Sequence, residues 1–164
     1  MNRWLALLGF VVLCFAVAGV SGWMTRPEIG GWYAAIRKPS WNPPSWVFGP
    51  VWTTLYLMMA VAGWLVWQAE PASRRTLALS LFGIQLALNF LWSPLFFKLH
   101  QPGWAAVEIV LLWLAIGGFT AVAWGVSRAA AFLFVPYWAW VTFATALNFA
   151  IWMLNVGAHQ SRAG

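Results

Sequence analysis

The chain has 164 residues, 63% of them apolar and only 7% charged, with nine basic side chains against three acidic ones. A soluble globule carries about a quarter of its residues as charge, so this composition excludes a water-soluble monomer and makes lipid the main solvent. The net charge of +6 is dispersed in nothing larger than the pairs Arg37-Lys38 and Arg74-Arg75, and there is one cysteine, which excludes a nucleic-acid patch, an internal disulfide and a thiolate cluster.

Long uncharged runs count the membrane crossings, because a hydrocarbon core of about 30 Å takes roughly 20 helical residues to span. Such runs lie at 4–25, 39–69, 76–97, 109–127 and 129–161. In lipid every backbone polar group needs an internal partner, and runs this apolar and non-alternating satisfy that as helices. The expectation is an all-α integral membrane bundle, one domain over 1–164, with helices near 4–24, 45–68, 76–98, 103–125 and 130–154 and a lid loop at 25–44. An odd number of crossings puts the termini on opposite sides. Basic residues divide four (Arg3, Arg74, Arg75, Arg128) against five (Arg26, Arg37, Lys38, Lys98, Arg162), so the positive-inside rule sets no orientation.

The first span follows Asn2-Arg3 and contains Ala16-Val17-Ala18, imitating a secretory signal with its cleavage site. A signal core runs about 7–15 residues; this run continues to Met24 and is expected to stay as a helix. Cys14 within it reads as a small apolar packing residue. Pro43-Pro44 and Pro50 stiffen the entry to the second span, where missing amide donors cost little. Trp52 and Tyr56 follow one turn apart above Met59 and Gly63.

In the third span Phe82, Gln85, Asn89, Trp92 and Phe96 recur at spacings of three and four, which sets two amides and three rings on one face. The fourth span carries Glu108, the one acid inside a predicted span, near the helix's positive end and read as structural. The fifth repeats the theme of the third: Tyr137, Trp140, Ala144, Asn148, Ile151 and Asn155 form a stripe with a small residue between ring and amide. Pro94 and Pro136 lie inside spans, where each removes a backbone bond and is expected to kink its helix.

Two readings of the stripes stand. Three helices that each offer rings plus neutral hydrogen-bonding groups describe a cavity for a flat, hydrophobic molecule with a few polar edges. The same amides and rings would also serve simply to tie helices together. Small residues at four-residue spacing in Ala18…Gly22, Gly83…Ala87 and Gly117…Ala121…Gly125 suit close helix contact, within the bundle or between two copies. Catalytic machinery is scarce: His100 and His159 are terminal or in loops, and no nucleophilic triad, carboxylate pair or metal-ligand set can be assembled. The 15 Trp among 30 aromatic residues exceed what interfacial belts need.

Trp32-Tyr33-Ala34 followed by Lys38-Pro39-Ser40-Trp41-Asn42-Pro43-Pro44-Ser45-Trp46-Val47-Phe48-Gly49-Pro50-Val51-Trp52-Thr53-Thr54-Leu55-Tyr56 resembles the tryptophan-rich sensory protein / translocator protein family (TspO/MBR, including the peripheral-type benzodiazepine receptor). Gln85 through Pro94, Gly103-Trp104 with Glu108, and Pro136 through Asn148 are similar to that family's third, fourth and fifth helices in the right order. The resemblance spans essentially 20–155; the first helix matches only in length and apolarity. It implies a five-helix membrane protein, commonly a homodimer, that binds porphyrins (tetrapyrroles such as protoporphyrin IX or haem) and synthetic ligands of the isoquinoline-carboxamide and benzodiazepine type. The binding set it implies here is Trp32, Tyr33, Trp52, Tyr56, Asn89, Phe90, Trp104, Trp140, Ala144 and Leu147.

Some members are credited with light- or oxygen-dependent porphyrin breakdown, which here would fall to Trp52 and Trp140. The sterol-recognition pattern of animal members needs a Tyr and then a basic residue where this chain has Phe149 and Met153, which removes the support for sterol recognition and points to a bacterial-type member in a bacterial membrane. The leading expectation is a receptor or translocator that takes a porphyrin between the second, third and fifth helices under the lid, for sensing, sequestration or trafficking. A porphyrin-degrading enzyme and a membrane scaffold with an incidental cavity are the alternatives. No resident cofactor, metal or nucleic-acid partner is expected.

Overall fold

A computed structural model describes residues 2–70 and 72–160, without the side chains of 72, 73 and 157–160. Arg162 and the side chain of His159 therefore lie outside the described residues. The elements in order are α1 (Arg3–Gly30), a one-turn α2 (Trp32–Ala35), a 3-10 turn at Ser45–Val47, α3 (Phe48–Trp67), α4 (Ala72–Ser93), a π-helical turn at Pro94–Lys98, α5 (Pro102–Trp124) and α6 (Arg128–Gln160). No strand occurs among the described residues. Among the described residues five helices are long and apolar enough to cross a bilayer, and the chain is a multi-pass membrane protein.

The expected lid loop at 25–44 is shorter than the sequence pattern indicates, because α1 continues through Thr25–Gly30 with Pro27 inside it. Its 28 residues make a rod of about 42 Å at 1.5 Å per residue, longer than the roughly 30 Å hydrocarbon core. The last turns thus stand in the head-group region. There Arg26 and Glu28 are hydrated, and the carbonyl that Pro27 leaves without an amide partner can be hydrated too. Asn2 caps the other end, its Oδ1 accepting from the Trp4 amide at 3.1 Å.

Neighbouring helices form a ring in the order α1, α3, α6, α5, α4 and back to α1. On α1 the buried residues are Ala6, Cys14 and Ser21, two helical turns apart, so a narrow seam of small side chains faces the bundle. Between the seam residues, Phe10 meets Phe82 edge-on at 5.6 Å. The half of the bundle nearest Arg3 is filled by Phe82, Phe119 and Phe134, whose rings approach to 6.0, 6.3 and 3.9 Å. A side chain at Gly63 would meet Phe10 at 2.8 Å and Phe82 at 3.0 Å, and one at Gly117 would meet Trp138 at 2.9 Å. These two glycines let rings of neighbouring helices close the interior. Gly83 differs: it is exposed with open space around it.

Tryptophans mark both membrane surfaces. Trp64 donates its Nε1–H to the Arg3 carbonyl at 2.8 Å, and the Arg128 guanidinium lies over Trp124 at 5.8 Å. On the opposite side Trp23, Trp46 and Trp104 stand 77%, 76% and 67% exposed, where an indole keeps its ring in lipid and its N–H near water.

Candidate functional site: an aromatic cavity beneath the lid

The half of the bundle nearest the lid encloses a cavity of about 750 Å³, in the upper part of the range that holds small organic ligands. Tyr56 and Asn89 line its floor and belong to a buried polar chain. Tyr56 donates to Asn89 Oδ1, Asn89 Nδ2 donates to the Tyr137 hydroxyl at 2.8 Å, and Tyr137 donates to Gln85 Oε1 at 3.1 Å. Four side chains from α3, α4 and α6 are thus locked in one arrangement, which fixes the depth at which the cavity ends. Asn89 keeps one N–H and one lone pair beyond these bonds.

The walls are rings. Trp52 lies 5.7 Å from Tyr56 and 6.2 Å from Tyr137; Trp140 lies 5.9 Å from Phe48 and 5.5 Å from Phe143. Trp92 stacks on Phe96 at 5.0 Å and donates its Nε1–H to Asn148 Oδ1 at 3.0 Å. Asn148 in turn donates to the Pro102 carbonyl at 2.8 Å, so one amide joins α4, α5 and α6. Pro94 opens a π turn, closed by Leu99 N to Pro94 O at 2.9 Å, where a simple kink was expected. The wider turn lets the consecutive Phe96 and Phe97 both face inward, and both line the cavity.

The lid is tied down by its own polar contacts. Tyr33 donates to Asn42 Oδ1 at 2.8 Å, and its burial pushes the phenol above the ordinary tyrosine range, with the Asn42 bond acting the other way; it stays a neutral donor. Lys38 Nζ donates to the carbonyls of Tyr33, Ala34 and Ile36. Asn155 holds Arg37 through both backbone groups, accepting from its N at 3.1 Å and donating to its O at 2.9 Å. Trp32 stacks on His100 at 4.4 Å. Glu28 accepts from His100 at 3.1 Å and pairs with Lys98 at 3.6 Å, joining the end of α1 to the α4–α5 connection.

Of the residues the sequence singles out, Tyr33, Trp52, Tyr56, Asn89, Trp140, Ala144 and Leu147 line one cavity. Trp32, Phe90 and Trp104 do not. Trp32 braces the wall from behind, edge-on to Phe96 at 5.5 Å. Phe90 follows Asn89 by one residue, and so lies about 100° round the helix from the inward stripe. Trp104 points away from the bundle in the interfacial belt. Asn155 belongs to the lid clasp instead of the pocket. Glu108 is buried in α5 without a partner for either carboxyl oxygen among the described residues.

Sequence reasoning missed the contribution of α1, where Ala18, Ser21, Gly22, Thr25, Arg26 and Ile29 line the cavity. Their spacing of three to four was the available signal. The exposed lining residues fall on α1 and the start of α3, among them Gly19, Gly22 and Gly49, so the cavity opens along that seam, between Trp23 and Trp46.

A profile of the TspO/MBR family matches residues 10–153. The chain is 40% identical to the translocator protein of Homo sapiens, with 97% of this chain and 95% of that protein aligned. It is 42% identical to the tryptophan-rich protein TspO of Chlorobaculum tepidum, covering 94% and 99% of the two chains. With the tryptophan-rich sensory protein of Cereibacter sphaeroides the identity is 37%, over 98% of each.

Proposed function

The chain belongs to the TspO/MBR family, and from that membership and the shape of the cavity we propose that it is a membrane receptor that captures a porphyrin or similar flat lipophilic ligand beneath the lid. The observation that carries this reading is the cavity of about 750 Å³ walled by Trp52, Trp92 and Trp140 and floored by amide and phenol groups. Large rings contributed to the walls by α3, α4 and α6 favour a planar guest by stacking, and the few hydrogen-bonding groups orient it. Sensing, sequestration and trafficking all begin with this capture step. The names of the relatives, translocator and sensory protein, fit a capture role.

The test is quenching of tryptophan fluorescence on titration with protoporphyrin IX in detergent micelles. Wild type is expected to saturate, and Trp140→Phe combined with Ala144→Thr to weaken binding several-fold, since aromatic pairing is worth about 0.5–1.5 kcal/mol beyond area. Unchanged affinity in the double variant would remove this pocket as the binding site.

We further propose that two copies associate through the outward face of α4, where Gly83 and Ala87 lie exposed one turn apart, a spacing that lets helix backbones approach closely. Gly83→Leu is expected to abolish a cross-linked dimer in membranes while leaving porphyrin quenching in place. A dimer that survives this substitution places the interface elsewhere.

A further inference from the structure

Of the lid-side cations among the described residues, Lys38, Lys98 and His100 are engaged, the Arg37 guanidinium has no partner and lies off the cavity lining, and Arg26 has none and lies on it. Lys38 is held by three backbone carbonyls, and Lys98 and His100 share the two oxygens of Glu28. Arg26 lines the cavity and has no hydrogen bond or ion pair among the described residues. Glu28, the nearest acid along the chain, is two residues away and so on another side of the helix. The lining stripe of α1 passes through Ala18, Gly22, Arg26 and Ile29, which sets the guanidinium at the mouth, one turn beyond the exposed Trp23, at the depth where lipid gives way to water.

Resting on the reading of the cavity as a porphyrin site, we infer that Arg26 selects guests that carry an acidic group at one edge. The rest of the lining is aromatic, aliphatic or neutral polar, such as Asn89 and Tyr56, and gives an anion no counter-charge. A ligand whose ring system fills the cavity therefore gains by turning one carboxylate outward to the guanidinium, which matches a carboxylate in a two-bond fork. With Arg26 the single cation on the lining among the described residues, one carboxylate suffices: a half-esterified porphyrin keeps the preference, and the full diester loses it. Mouth exposure sets the size of the effect. A charge-assisted bond is strong when shielded and weaker where water shares it, so the acid is expected to bind roughly tenfold tighter than its diester.

The experiment titrates protoporphyrin IX, its monomethyl ester and its dimethyl ester into the full chain in a maltoside detergent, whose head group carries no anion. The expected result is an acid-to-diester affinity ratio of about ten in wild type, nearly the same for the monoester. In Arg26→Gln the ratio falls close to one, and in Arg26→Lys it is partly restored. Arg37→Gln, which alters a cation off the lining, keeps the ratio. A ratio that persists in Arg26→Gln, or equals one in wild type while both compounds bind, overturns the inference but leaves the porphyrin site standing. If none of the three compounds binds wild type, both fall. Nanodiscs of phosphatidylglycerol supply the competing source of the same chemistry, a lipid phosphate; loss of the ratio only there would assign Arg26 to head groups and overturn its role toward the guest.

Discussion

Substituting Ala144→Trp is expected to lower porphyrin affinity by roughly a hundredfold while the protein remains folded. Ala144 sits on α6 one turn from Trp140, facing the cavity. An indole built there enters empty space instead of a neighbouring helix, so overpacking strain in the bundle stays small. The guest meets that indole directly. Forcing displaced atoms together in a closed site costs about 1–3 kcal/mol, and about 2.7 kcal/mol corresponds to a hundredfold. The measurement pairs a porphyrin titration with thermal unfolding in the same detergent. Lost binding with an unchanged unfolding midpoint is the expected pattern, and undiminished binding would place the guest outside this cavity.

The second large effect is on stability. Asn89→Leu removes the bond from Tyr56 and the bond to Tyr137, leaving the Tyr56 hydroxyl without its acceptor beneath the cavity. Hydrogen bonds between membrane helices average about 0.6 kcal/mol and reach about 1.7, because the unfolded chain in lipid also finds partners. Two of them amount to about 1–3 kcal/mol, read as a lower unfolding midpoint at fixed detergent and scan rate. In a cycle with Tyr56→Phe the two losses are expected to be less than additive, since both delete the same bond. Full additivity would mean that Tyr56 and Asn89 act separately.

Much of this architecture was legible in the chain because charge is so scarce: apart from Glu108 inside α5, the ionic residues lie near helix ends or in connections, and five apolar runs leave little freedom in counting helices. The stripes of α4 and α6 were legible for a related reason. An amide such as Gln85, Asn89 or Asn148 inside an apolar run has to face a partner, and all three are buried. The first helix hid its role because its lining residues are small and weakly polar, Ala18, Ser21 and Gly22, and resemble any lipid-facing segment. The π turn was hidden for another reason. Pro94 announces a break, but whether the helix kinks or widens depends on how Phe96 and Phe97 pack against Trp92 and Tyr33, which local sequence does not encode. Trp104 misleads in the opposite direction, since a tryptophan in the belt and one in a cavity look alike in sequence.

Locating the guest itself tests the central claim most directly. A structure of the full chain saturated with protoporphyrin IX is expected to show the macrocycle between Trp52 and Trp140, under Tyr33, with one acidic edge toward Arg26. Density for the porphyrin on the outer, lipid-facing surface, or a cavity still empty at saturation, would contradict it.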